Sequence, residues 1–122
     1  MIEEDYSTLW ENWIKKDGTS NHAWTGGPLI IMSKHIAGIK PLTAGYEKIE
    51  IKPQYNLHDK ISCTVPAVIG DIKLDISKNN SETIIKLDYP EKSEVVLHIP
   101  ENAVITANGK KYIANNSVLN IK

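Results

Sequence analysis

Near residue 44 the apolar residues of this chain change period, and that change limits its folds more than anything else in the sequence. From there to the C-terminus they recur at every second position, in short blocks that each stop at a proline or a turn signal. Lys48-Ile49-Glu50-Ile51-Lys52 stops at Pro53, and Ile61-Ser62-Cys63-Thr64-Val65 stops at Pro66. Ile72-Lys73-Leu74-Asp75-Ile76 stops at Lys78-Asn79-Asn80, Ile85 to Tyr89 stops at Pro90, and Val95, Leu97 and Ile99 stop at Pro100. Val104 to Thr106 runs into Asn108-Gly109, the strongest short hairpin signal, and Lys111–Ala114 and Val118–Ile121 close the chain. Alternation of this kind leaves one wet face per sheet and argues against a parallel sheet. About eight short strands at roughly ten-residue spacing predict a mainly β protein, an antiparallel β-sandwich over residues 44–122.

Residues 1–40 have a helical period instead. Trp10, Trp13 and Ile14 share one helical face with Leu9 beside it, and Lys16-Asp17-Gly18 supplies a stop. After a polar loop, Gly26-Gly27-Pro28 reads as a helix start, because proline is tolerated in the first turn. Leu29, Met32 and Ile36 follow at helical spacing, Gly38 ends the segment and Pro41 forbids its return. One or two helices are therefore expected before the sandwich.

The remaining bounds come from composition. A chain of 122 residues is one domain by default and can bury about two-thirds of its unfolded surface. Net charge is −1, from 14 basic and 15 acidic residues, which gives no reason to expect nucleic acid or an anionic membrane as a partner. The single cysteine, Cys63, excludes an intrachain disulfide and, between Ile61 and Val65, is expected to be a buried strand residue. Met-Ile-Glu-Glu-Asp is no signal peptide, so the sequence leaves the compartment open: a parent protein could be cytoplasmic or exported. The longest apolar run, Pro28 to Met32, is far too short to span a bilayer. His22, His35, His58 and His98 do not cluster, no metal-ligand spacing occurs, and no cofactor is expected.

The chemistry-bearing residues crowd into the first third. All three tryptophans lie there, in Ser7-Thr8-Leu9-Trp10-Glu11-Asn12-Trp13 and Asn21-His22-Ala23-Trp24-Thr25-Gly26-Gly27-Pro28. Aromatic faces stack on sugar C–H faces, and carboxylates and imidazoles hydrogen-bond hydroxyls or move protons. Taken alone, Glu11 reads as an ordinary solvated helix residue and His22 as a satisfied structural histidine. For each tryptophan, ring platform and packing residue are equally open readings.

These segments resemble a known family. T-L-W-E-x-W, N-H-A-W-T-G-G-P, then A-G-I-x-P and a β-rich tail look like the C-terminal end of bacterial α-L-rhamnosidases, glycoside hydrolase family 78, over residues 7 to about 100. The resemblance implies an inverting glycosidase, in which two carboxyl groups roughly 6.5–9.5 Å apart act as acid and as base for water. By resemblance Glu11 matches the general base, Asn21 and His22 line the sugar subsite, and Trp10, Trp13 and Trp24 are its candidate platforms. It also implies that residues 1–40 are the last helices of an (α/α)6 barrel, with the general acid on earlier helices. Glu3, Glu4 and Asp5 match no family motif.

The expectation is thus a C-terminal part of an enzyme that removes terminal α-L-rhamnose from glycans or glycosides, inactive alone. Outside a barrel, Leu9, Trp10, Trp13, Trp24, Leu29, Met32 and Ile36 would need cover, either by folding back on the sandwich or by a homodimer through the helical arm. The competing reading is a non-catalytic β-sandwich that binds carbohydrate or protein. It is disfavoured because the sandwich carries only Tyr46, Tyr55, Tyr89 and Tyr112 as aromatics.

Overall fold

The computed structural model describes residues 22–79, 82–113 and 117–122. The chain divides into two units, Met1–Ile31 and Met32–Lys122. In the first, a 3-10 turn, Ala23–Gly26, leads into a single α-helical turn, α1 (Gly27–Ile31), with Pro28 in its opening turn. Leu29, Ile30 and Ile31 are exposed.

The second unit is a mixed β-sandwich. Among the described residues it has nine strands: β1 (Ile39–Pro41), β2 (Lys48–Ile51), β3 (Lys60–Ala67), β4 (Gly70–Lys78), β5 (Thr83–Asp88), β6 (Glu94–His98), β7 (Ala103–Ala107), β8 (Lys110–Ile113) and β9 (Val118–Ile121). One sheet has the order β1-β2-β6-β9 and the other β3-β4-β5-β7-β8. The period-2 pattern sorts the side chains between the two faces of each sheet. Ile39, Ile49, Ile51, Val95, Leu97 and Ile121 of the first sheet are buried, as are Ile61, Ile72, Leu74, Ile76, Ile85, Leu87 and Ile105 of the second. Charged side chains such as Lys73, Asp75 and Lys86, and others such as Ser62, Ile84 and Val96, take the alternate, outward positions. Between β7 and β8, Asn108 and Gly109 have φ of 46° and 75°, the paired left-handed residues of a tight hairpin.

Three details depart from the sequence reading. First, the sheets are not wholly antiparallel: β2 pairs parallel with β6, and β5 parallel with β7. The chain leaves each sheet through the other and returns in its original direction. Alternation reports which face is wet and is blind to strand direction, so the wet outer face persists. Second, β3 continues through Pro66 to Ala67. Because β3 is an edge strand, the missing proline N–H costs no ladder bond. The same edge position leaves Cys63 half-buried rather than buried. Third, the sheet begins before residue 44. Ile39 is fully buried, and β1 pairs antiparallel with β2 as Ile39↔Ile51, Lys40↔Glu50 and Pro41↔Ile49.

The expected helix up to Gly38 closes instead as a π-type turn, Met32–Ile36, with the Ala37 N–H donating to the Met32 carbonyl (2.8 Å). Of the three residues expected on its apolar face, Ile36 packs against the sandwich core, while Leu29 and Met32 are exposed.

Candidate functional site

His22 is half-buried just before the 3-10 turn, and Trp24 stands within that turn. The turn and α1 follow from Gly26-Gly27-Pro28, where two glycines let the backbone change course before proline presets a helical φ. Trp10, Glu11, Trp13 and Asn21 lie outside the described residues, so the geometry speaks only for the segment that follows Asn21.

A second polar cluster, not anticipated from the sequence, lies where β2 and β6 end. His98 Nε2 and Glu50 Oε1 are 3.2 Å apart, the imidazole donating and the carboxylate accepting. The Tyr55 hydroxyl donates to the His98 carbonyl at 2.7 Å. Burial pushes the Tyr55 phenol well above its ordinary range. The chain just before Tyr55 is fastened to the root of the N-terminal segment: the Lys52 N–H donates to the Gly38 carbonyl and the Gln54 N–H to the Ile36 carbonyl, both at 3.0 Å. Gly38 has φ of 71° and lies so close to Lys52 that a Cβ would collide with its carbonyl oxygen. Only glycine fits there, on both counts.

The other perturbed groups have local causes. The Lys122 ammonium, 3.0 Å from Glu94, holds that carboxyl below its usual range. Burial raises the Cys63 thiol, and burial with Tyr112 nearby raises the Tyr89 phenol. A cleft of about 660 Å3 runs along the β7–β8 edge, lined by Pro100, Glu101, Asn102, Val104, Lys111 and Ile113 among others. Its charged side chains are exposed. Among the described residues no three His, Cys, Asp or Glu side chains gather as a metal site, and no helix is long and apolar enough to cross a membrane. Apart from the His98–Glu50 pair, the half-buried side-chain hydrogen bonds among the described residues of the Met32–Lys122 unit brace the backbone as a scaffold does, as with Tyr55, Ser93 (to the Tyr46 carbonyl, 2.9 Å) and Asn108.

Comparison with known proteins accounts for this scaffold. The profile of the bacterial alpha-L-rhamnosidase C-terminal domain matches residues 38–114, more than half of the chain. The chain belongs to this family. No curated protein matches it. Among solved structures, an alpha-L-rhamnosidase from Dictyoglumus thermophilum superposes with a TM-score of 0.65 at 25% identity, over 83% of this chain and 12% of that one. A GH78 family rhamnosidase of Bacillus sp. GL1 gives 0.65 at 24% identity, over 79% of this chain and 10% of that one. A Streptomyces avermitilis alpha-L-rhamnosidase complexed with L-rhamnose gives 0.59 at 21% identity, over 81% and 11%. The rhamnosidase C-terminal domain thus spans about a tenth of the length of the enzymes it matches. The matched interval contains Gly38, Glu50, Tyr55 and His98 and none of the six sugar-site candidates, Trp10, Glu11, Trp13, Asn21, His22 and Trp24.

Proposed function

We propose that the chain acts as the C-terminal part of an inverting α-L-rhamnosidase that hydrolyses terminal α-L-rhamnose from glycans or glycosides. The observation that carries this reading is the family match over residues 38–114 together with full-length rhamnosidases that superpose on most of the chain. In that role Glu11 takes a proton from the attacking water. His22 and Asn21 hold sugar hydroxyls, and Trp10, Trp13 and Trp24 shape the subsite. An acid elsewhere in the parent protonates the leaving oxygen, since inversion needs two carboxyl groups on opposite faces of the sugar. The exposure of α1 supports a helical surrounding. Leu29, Ile30 and Ile31 of α1, and Met32 just after it, are 65, 53, 54 and 58% exposed. Successive helical residues point about 100° apart, so these four face every direction and suit a helix enclosed by others.

A base without its acid, and without the groups that orient the sugar, lacks most of the rate enhancement. The purified chain is therefore expected to leave an aryl α-L-rhamnoside unhydrolysed. Turnover by the chain that disappears in Glu11→Gln would refute its role as one part of a larger active site.

One observation favours a purely non-catalytic reading: the family match begins at residue 38, after every sugar-site candidate. Assay of a longer protein that contains this chain separates the two. Glu11→Gln should abolish its activity if Glu11 is the base, and should leave it unchanged if the chain only supports the fold. A carbohydrate-binding version has less support, because Tyr46, Tyr55, Tyr89 and Tyr112 are each half-buried or buried and none is an open platform.

A further inference from the structure

The root of the N-terminal segment, Met32–Gly38, is built into the sandwich. Ala37 is 1% exposed, Gly38 is buried, and Ile36 packs on the core. Two hydrogen bonds of 3.0 Å, Lys52 N–H to the Gly38 carbonyl and Gln54 N–H to the Ile36 carbonyl, join this root to the chain leaving β2. That exit has no strand of its own to hold it, because β2 ends at Ile51. Beyond those two bonds it is fastened by the next residue, Tyr55, whose hydroxyl reaches across 43 positions of sequence to the His98 carbonyl at the end of β6. His98 is steadied in turn by Glu50, the penultimate residue of β2.

We propose that Tyr55, backed by the His98–Glu50 pair, is a positioning residue: it clamps the β2 exit and so holds the Met32–Gly38 root in one place on the sandwich. This rests on the reading that the segment upstream carries Glu11 and His22. It assigns the C-terminal domain a task in that reaction, the anchoring of the root from which that segment extends. A misplacement of about 1 Å in catalytic groups is costly, because rate depends on near-attack geometry. The substitution-intolerant glycine at position 38 belongs to the same device, since only a residue without Cβ allows the root to lie against the Lys52 carbonyl.

Amide hydrogen exchange followed by NMR on the whole chain tests this without requiring catalysis, so its outcome is separate from that of the rhamnosidase assay. Tyr55→Phe removes the hydroxyl and keeps the ring. Exchange of the Ala37, Lys52 and Gln54 amides should accelerate about tenfold, while amides in β4 and β5, such as those of Leu74 and Leu87, keep their wild-type rates. Glu50→Gln should accelerate the same three amides by a smaller factor. Uniform acceleration across all strands, unchanged rates at the three amides, or failure of Tyr55→Phe to fold would each overturn the proposal, making Tyr55 a general core residue rather than a clamp.

Discussion

At Gly38 two constraints coincide, a left-handed φ of 71° and a backbone carbonyl where a side chain would be. Gly38→Ala should lower unfolding free energy by at least about 2 kcal/mol in urea titration, since the left-handed penalty and the collision add. Asn108 separates two other effects. Its Oδ1 accepts from the Tyr89 N–H at 2.9 Å and its Nδ2 donates to the Tyr89 carbonyl at 3.0 Å, so a turn side chain pairs with the end of β5 as a strand would. Asn108→Ala should cost about 1–3 kcal/mol. Asn108→Gly, which keeps the turn geometry and loses only the two bonds, should cost less in the same titration. Tyr55 makes the chain sensitive to alkali. Its folded-state pKa is raised by burial, so above the unfolded value of about 10 the unfolded chain releases a proton that the folded chain keeps. The stability contributed by the protonated phenol is complete below that pH and is lost as pH rises beyond it. In phenolate absorbance, one tyrosine should remain un-ionised until the protein unfolds, and Tyr55→Phe should remove that step.

Among the elements, β1 decides where the sandwich begins. Periodicity places the start at residue 44, and by that reading deletion of residues 1–40 leaves a self-sufficient β protein. The structure changes the expectation, because such a deletion removes the buried Ala37 and Ile39 and strips β2 of its Ile39 and Lys40 partners on one edge. A chain lacking residues 1–31 should retain a cooperative unfolding transition by circular dichroism. A chain lacking residues 1–40 should be destabilised by several kcal/mol or fail to fold, since each large buried side chain contributes about 1.5–3 kcal/mol. Equal stability of the two truncations would show that β1 is dispensable. Three residues were too short a run for alternation to register, and Pro41 read as a break rather than as the end of an edge strand.

For the whole molecule, topology sets the folding rate. β1 and β9, the first and last strands, lie in one sheet, and each sheet contains a parallel pair whose members are separated by strands of the other. Loop closure must therefore precede most of the stabilising contacts. Refolding after dilution from denaturant should take milliseconds to seconds rather than microseconds, as stopped-flow fluorescence would record.

Much of this protein was written in local pattern. Local pattern identified eight of the nine strands, and alternation gave the inward faces of five of them, because burial of one face imposes a period of two whatever a strand pairs with. Asn108-Gly109 announced its hairpin, because few residues accept a left-handed φ. The motifs of the first third carried the family, which the match over residues 38–114 then established from a different part of the chain. Tertiary structure alone decided which strands are neighbours, that two pairs run parallel, and that Pro66 is harmless on an edge. It also brought Glu50, Tyr55 and His98 together from three separate segments. Strand order and such a cluster depend on contacts between residues tens of positions apart, and period and propensity are blind to them because they describe only a residue's immediate neighbours along the chain.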